Sequence, residues 1–198
     1  MSGSTGAERG RLSASDWEQA ALDLIEEQGV AGVTVELLAR RLGVTKGSFY
    51  WHFASRDALL EAALKRWEQA DTEEVVAQVD RIADPRERVV ALFRHTSHEI
   101  RDHVIFSALL RAIDHPAVQP VMQRVSQRRV AYLATALRAA GLDRAVAVQR
   151  AQLAFAAYVG MLQLIMQRML PRLAHDDFES FVQHVIDALV PPPGVPLR

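Results

Sequence analysis

One stretch decides the fold of this chain: residues Thr34 to Phe53 have the sequence TVELLARRLGVTKGSFYWHF. Thr34 is a helix-capping residue, and the apolar residues after it recur at helical spacing, which predicts a short helix ending at Gly43. Thr45 is placed to cap a second, shorter helix through about Trp51. Two short helices joined by a glycine that permits a sharp turn have the layout of a helix-turn-helix.

The second of these helices has an unusual surface. Phe49 and Phe53 are four residues apart and can be buried together. This leaves six residues for the outside: Lys46, Gly47, Ser48, Tyr50, Trp51 and His52. Exposed aromatic, hydroxyl and basic groups on one short helix suit a surface that contacts DNA phosphates and base edges. The alternative is a purely structural hairpin, in which Tyr50 and Trp51 pack on a neighbouring helix.

The positive charge of the chain is local. The 198 residues carry a net charge of −1, yet positions 37–56 hold four basic residues and no acid. Two of them, Lys46 and Arg56, stand in the first turn of a helix, where the helix dipole disfavours a cation by about 0.3–1 kcal/mol. A bound DNA phosphate would be attracted to both cations, which would explain their unfavourable positions. The alternative is that both side chains are simply solvated.

Helical patterns extend over almost the whole chain, and no strand pattern is convincing, so we predict an all-α fold of about nine helices. The first helix begins near Ser13 and ends at Gly29. Ser55 caps a fourth, whose apolar stripe continues towards Val79. The remaining helices are predicted near 85–99, 102–113, 118–140, 143–170 and 176–190, and the N-terminal decapeptide and the tail 191–198 are expected to be disordered.

The stretch Thr34 to Phe53, followed by SRDALL at 55–60, closely resembles the DNA-binding domain of the TetR family of transcriptional regulators. The resemblance covers about residues 12–64. It implies a homodimer in which an N-terminal three-helix domain, here 1–55, binds a near-palindromic double-stranded operator. It also implies a larger helical domain, here 56–190, in which a small-molecule effector binds and releases the DNA. We therefore expect a ligand-responsive repressor.

The resemblance also assigns roles to single residues. It implies phosphate contacts for Thr34, Tyr50, His52 and Arg56. Base or near-base contacts fall to Thr45, Lys46, Gly47 and Ser48, and the exposed Trp51 joins this DNA-binding set. Arg9 and Arg11 are candidates for a flexible arm in the minor groove.

The second half of the chain supplies many apolar side chains, each of which is as readily ordinary core as cavity wall. The expected lining of an effector site is Phe93, Phe106, Leu110, Ile113, Phe155, Tyr158, Met161 and Leu162. Candidate polar anchors are Tyr158, Gln163, His103 and Arg111. A mostly apolar site with few polar groups suits a hydrophobic or aromatic effector.

An uncharged stretch at 151–167 contains three glutamines and is short for a membrane span, which favours a fully buried helix. The last helix can cover only part of it, so we predict that the two C-terminal helices form a four-helix dimer contact. The expected contact residues are Phe178, Val182, Val185 and Leu189. The alternative is a monomer in which helices 85–140 cover everything.

The sequence also argues against several functions. It contains no cysteine, so thiol chemistry is excluded, and its polar start lacks a secretory signal, which leads us to expect a cytoplasmic protein. His95 and His98 share a helical face, but His103 would have to join them from the next helix, so no metal site is predicted and no cofactor is expected. No catalytic motif occurs, so we do not expect an enzyme. A DNA-independent ligand-binding or scaffold protein, or a small helical enzyme, remains the alternative.

Overall fold

The computed structural model describes residues 12–98, 100–171 and 174–190. Within these ranges the chain forms helices and no strand. The helices are α1 (Ala14–Gln28), α2 (Val35–Leu42), α3 (Lys46–Tyr50), α4 (Arg56–Glu68), α5 (Val75–Val79), α6 (Pro85–His98), α7 (Ile100–Arg111), α8 (Val118–Ala139), α9 (Arg144–Met166) and α10 (His175–Leu189). A π-helical segment, Gln69–Glu74, joins α4 to α5 without a break. When α4, the π segment and α5 are counted as one continuous helix, the described ranges contain nine helices. The all-α prediction is confirmed.

The first helices begin and end at their predicted caps. The backbone N–H of Ser13 donates to the Asp16 carboxylate at 2.7 Å, and Asp16 N–H donates to Ser13 Oγ at 3.3 Å. The first of these bonds lowers the pKa of Asp16. Ser55 Oγ accepts from the N–H of Ala58 at 3.1 Å. These side chains satisfy N–H groups that the helix itself leaves without a partner, so capping residues fix the helix starts.

Two features differ from the sequence-based expectation. The π segment widens the helix by one residue per turn, which no hydrophobic pattern had indicated. Helix α9 ends at Met166 instead of about 170, because Arg168 adopts a left-handed backbone with φ 59°. The N–H of Met169 then donates to the Leu164 carbonyl at 2.8 Å. This C-terminal motif normally uses glycine at the left-handed position, so an arginine there could not be recognised as its signal.

The core consists of two clusters. The first joins α1 to α4 with α7 and α8, and its largest fully buried members include Trp17, Phe49 and Phe106. The second lies between α6, α8, α9 and α10, around Leu137 and Ile186. Because α4 contacts both α1 and α8, the first cluster crosses the domain boundary predicted at residue 55. The three N-terminal helices therefore share one packed core with α4, α7 and α8.

Helix α9 is only partly buried within the protomer, so its full burial stays a prediction that depends on a partner covering the rest. Among the described residues, α9 is the one helix that is long and apolar enough to cross a membrane. Core helices of soluble proteins meet the same criterion. Only 22% of its most apolar window is buried in the protomer. The reason is geometric: α8 and α7 pack on one side of α9, whereas Leu153 and Leu164 of the same helix remain exposed in the protomer. The predictions for Arg9, Arg11 and the tail fall outside the described residues.

Candidate nucleic-acid interface and cavity

The turn between α2 and α3 has the predicted form. Gly43 adopts φ 67°, a left-handed conformation that glycine reaches without strain. The N–H of Val44 then donates to the Ala39 carbonyl at 2.9 Å, which closes the end of α2. At the other end, Thr34 Oγ1 accepts from the N–H of Leu37 at 3.3 Å. The prediction that the Thr45 side chain caps α3 was wrong, since its hydroxyl makes no capping bond and the residue is exposed.

Two buried phenylalanines fix the position of α3. The Phe49 ring packs edge-on against Trp17 of α1 with centroids 5.4 Å apart, and Phe53 packs on Phe49 at 5.9 Å. The other aromatic rings point outwards, with Trp51 85% exposed and Tyr50 63% exposed. The alternative in which Trp51 packs on a neighbouring helix was therefore wrong. Tyr50 touches Phe49 edge-on, with ring centroids 5.2 Å apart, yet most of both outer rings remains exposed, so this surface needs an explanation.

Gly47 is not required by the packing of the protein. A Cβ atom built on it would meet only Thr45 Oγ1, at an ordinary 3.6 Å. Glycine nevertheless costs a helix about 1 kcal/mol relative to alanine. Ser48 and His52 are half-buried, and the imidazole of His52 lies 6.3 Å from the ring of Trp17. The exposed surface of α3 is thus formed by Lys46, Gly47, Tyr50 and Trp51.

The positive charge around this surface is partly neutralised by acids of α1 and α2. Lys46 pairs with Glu36, and Arg41 forms two hydrogen bonds with the Glu27 carboxylate at 2.6 and 2.8 Å. These bonds lower the pKa of Glu36 and of Glu27 below their usual range. Sequence reasoning missed both pairs, because their members are 10 and 14 residues apart.

Arg56 has partners within the chain. Its Nε donates to the Val33 carbonyl at 3.0 Å, and its Nη2 donates to the Val30 carbonyl at 2.8 Å. Its Nη1 lies 3.0 Å from Asp57 Oδ1 and 3.0 Å from His115 Nε2. The sequence had suggested that a DNA phosphate explains this cation at a helix start. The structure shows another explanation: Arg56 ties α4 to the turn before α2 and to the connection between α7 and α8.

A cavity of about 230 Å³ lies between the π segment, α5, α6, α7, α8, α9 and α10. Five of the expected lining residues do line it: Phe93, Phe155, Tyr158, Met161 and Leu162. Three do not. Phe106 is 1% exposed and belongs to the first core cluster, beside the half-buried Leu110, while Ile113 is 37% exposed after the end of α7. Helical spacing alone cannot separate a cavity wall from core.

The polar groups of the cavity differ from those expected. His103 and Tyr158 line it as predicted, but Gln163 and Arg111 instead donate to Ser107 Oγ at 3.3 and 3.0 Å. The polar lining that sequence reasoning missed comprises Asp71, Thr72, His95, Arg129 and Tyr132. Asp71 and Thr72 stand in the π segment, which explains why a regular helical period did not place them there. In the described part of the chain, no group of three acidic or histidine side chains is placed to bind a metal.

The residues predicted for the dimer contact lie elsewhere. Val182 and Leu189 are 6% and 8% exposed and pack into the second core cluster of their own chain, so their assignment to the contact was wrong. Phe178 and Val185 are half-buried and line the cavity. The large exposed apolar side chains of these helices are Val148, Leu153 and Leu164 of α9 and Phe181 of α10, at 38%, 60%, 39% and 36% exposure.

Comparison with known proteins agrees with this geometry. Residues 19–63 match the family described as bacterial regulatory proteins, tetR family. The tetracycline repressor protein class A from transposon 1721 of Escherichia coli is 54% identical over 44 residues, which are 22% of this chain and 20% of that protein. The chain thus aligns with about a fifth of the length of this relative.

Solved structures show the same fold over the whole chain. The reduced form of NemR from Escherichia coli has a TM-score of 0.75 at 20% identity, over 91% of this chain and 99% of that one. AibR, solved with isovaleryl coenzyme A and operator DNA, has a TM-score of 0.65 at 21% identity, over 90% of this chain and 98% of that one. Residues 19–63, which hold the turn and the exposed aromatic helix, therefore match the tetR family of bacterial regulatory proteins, and the solved structures share the fold of the longer chain.

Proposed function

We propose that this chain is a sequence-specific DNA-binding transcriptional regulator, and that it is a repressor released from a near-palindromic operator by a small, largely apolar effector. One observation carries the proposal: α3 holds Tyr50 and Trp51 in water while Phe49 and Phe53 anchor it from beneath. A protein that kept this hairpin for packing would gain nothing from the exposed rings. A helix with this surface in the major groove uses them against phosphates and sugars.

The proposed contacts follow from the surface. Thr45, Lys46, Gly47 and Ser48 lie at the start of α3, the part of a recognition helix that meets base edges. Gly47 lets the DNA approach the backbone closely. Thr34, Tyr50, Trp51 and His52 surround this start and contact phosphate oxygens or sugars. Arg56 would contact a phosphate only by giving up some of its bonds within the chain.

The rest of the chain fits a regulator of this kind. We assign residues 1–55 to DNA binding and 56–190 to effector binding and dimerisation. The exposed apolar side of α9, together with Phe181, is the proposed contact between two protomers. AibR, which has the same fold, was solved with both a small molecule and operator DNA, so this architecture can hold both. We place the protein with the DNA in the cytoplasm and propose no enzymatic activity.

The experiment begins with selection of bound sequences from random or genomic DNA fragments in the presence of excess competitor DNA. Binding to the enriched sequence is then measured by fluorescence anisotropy for three variants: Lys46→Ala, Tyr50→Ala and the matched control Lys65→Ala. Lys65 is an exposed lysine nine residues beyond Arg56 along α4, about 14 Å away from it. We expect each of the first two variants to bind at least about tenfold more weakly, with unchanged circular dichroism, and the control to bind normally.

Two results would contradict the proposal. Selection that enriches no sequence would favour a DNA-independent helical ligand-binding protein. Equal losses for Lys46→Ala and Lys65→Ala would mean that binding is nonspecific attraction to charge. The effector part is tested separately, by asking whether molecules that raise the melting temperature of the free protein also lower its operator affinity.

A further inference from the structure

The cavity between the π segment and α10 has a mostly apolar wall with one buried ion pair. Asp71 and Arg129 are 11% and 18% exposed in their side chains and form an ion pair at this wall. Arg129 is also enclosed by aromatic rings, since its guanidinium lies 5.1 Å from the ring centre of Phe106 and 5.9 Å from that of Trp67. A cation held in such dry surroundings interacts strongly with any anion that reaches it.

The hydrogen bonds of Arg129 leave part of its guanidinium without an acceptor. Its Nε donates to Thr72 Oγ1 at 3.2 Å. Its Nη2 donates to the Asp71 carbonyl at 3.3 Å and to the Asp71 carboxylate. Its Nη1 has no hydrogen-bond partner among the described residues. Because covering an N–H group without giving it an acceptor is costly, a ligand that fills the cavity over Nη1 binds better if it supplies an acceptor.

The π segment brings both partners of Arg129 to the cavity. Asp71 and Thr72 are neighbours in Gln69–Glu74, and both line the cavity together with Arg129. Such π bulges persist mainly at functional sites, because their hydrogen bonds are poorer than those of an α-helix. Here the bulge presents three acceptor groups from two residues to one guanidinium, and Nη1 still has no hydrogen-bond partner among the described residues.

We propose that the cavity binds a small amphipathic carboxylic acid, with its carboxylate on Arg129 and its apolar body against Phe93, Phe155 and Met161. This deepens the proposed function, on which it rests for the regulatory consequence, by naming the effector class. A carboxylate satisfies Nη1 with a charge-assisted hydrogen bond. An organic cation would need the Asp71 carboxylate, which Arg129 already holds, and a purely apolar molecule would leave Nη1 without an acceptor.

The volume limits the size of the acid. A dry cavity of about 150 Å³ holds benzene, with six non-hydrogen atoms. By the same ratio, the cavity of about 230 Å³ has room for about nine or ten such atoms. A straight-chain acid of eight carbons, with ten such atoms, is of this size, and 3-phenylpropanoic acid, with eleven, is slightly larger.

The test measures ligand binding to the full chain without DNA, by isothermal titration calorimetry at neutral pH. The probes are octanoate, octan-1-ol and octylamine, with 3-phenylpropanoate and 3-phenylpropan-1-ol as an aromatic pair. We expect each acid to bind at least about tenfold more tightly than its alcohol, and octylamine to bind most weakly. Absence of binding by both acids, equal affinity of acid and alcohol, or tightest binding by octylamine would overturn the proposal.

Two variants test the role of Arg129. Asp71→Asn removes the competing carboxylate, so octanoate should bind at least about threefold more tightly while octan-1-ol is unchanged. Arg129→Gln alone would leave Asp71 buried without its partner, so the charge is removed in the double variant Asp71→Asn, Arg129→Gln, which keeps similar volumes. In this double variant octanoate should bind no better than octan-1-ol. Retained preference for octanoate would overturn the assignment of Arg129.

Failure of this proposal is distinguishable from failure of the proposed function. If octanoate binds as expected but leaves operator affinity unchanged, the acid site stands and the regulatory function of the cavity is wrong. If an operator is bound but neither acid binds, the DNA-binding function stands and the effector class is wrong.

Discussion

The glycine at position 47 is explained by the proposed contact with DNA and not by the packing of the protein itself. Its backbone needs no special conformation, and a methyl group there would touch only Thr45 at an ordinary distance. Gly47→Ala should therefore leave the free energy of unfolding unchanged or raise it by about 0.5–1 kcal/mol, since alanine favours the helix. The same methyl group should lower operator affinity at least about tenfold, because it separates α3 from the DNA.

This prediction is measured by urea unfolding and by anisotropy on the selected operator. Lys65→Ala is the control for operator binding, since Lys65 is an exposed residue of α4 that lies outside both α3 and the proposed dimer contact. Undiminished operator binding by Gly47→Ala would show that α3 does not approach DNA closely.

At the scale of elements, Arg56 joins three parts of the chain that are separate in sequence. It bonds the carbonyls of Val30 and Val33 and contacts His115. Arg56→Lys keeps the positive charge but loses the planar guanidinium, whose N–H groups donate to several acceptors at once. We therefore expect the free energy of unfolding to fall by about 1–2 kcal/mol. The value is discounted because the Arg56 side chain is 28% exposed.

The matched control is Arg40→Lys, because Arg40 is exposed at the end of α2 and has no hydrogen bond or ion pair among the described residues. It should leave stability unchanged in thermal and urea unfolding. If both variants keep full stability and Arg56→Lys instead weakens operator binding, Arg56 acts on DNA and its bonds within the chain matter little.

At the scale of the whole molecule, the uncovered side of α9 predicts a dimer. Leu153 is 60% exposed, and Leu153→Glu should place a buried, unpaired charge at a contact that a two-fold axis repeats. We expect the dimer to dissociate at least about 100-fold more readily while the protomer stays folded. Sedimentation velocity over a concentration series measures the oligomeric state, and circular dichroism measures the fold.

Two further variants make this result decisive. Ile113→Glu changes an equally apolar, 37% exposed residue outside α9 and α10 and should remain dimeric. Val182→Glu should instead unfold the protomer, because Val182 is buried in its own chain. A Leu153→Glu variant that stays dimeric would place the contact on another surface.

The sequence by itself determined the helices and their most informative surface. Capping side chains at Ser13, Thr34 and Ser55, together with Gly29 and Gly43, act on neighbours within four residues, so helix ends could be predicted from local chemistry alone. The joint burial of Phe49 and Phe53 could also be predicted from local chemistry, because residues four apart share one face of any helix.

Only the tertiary structure decided which groups meet across the chain. The pairs Lys46 with Glu36 and Arg129 with Asp71, and the bonds of Arg56, join residues from different elements. Val182 and Leu153 are both apolar helical residues, yet one is core and the other is exposed, because the position of α10 on α6 and α8 is set by packing. Helical spacing fixes which residues share a face, whereas the neighbour that covers that face depends on contacts distant in sequence.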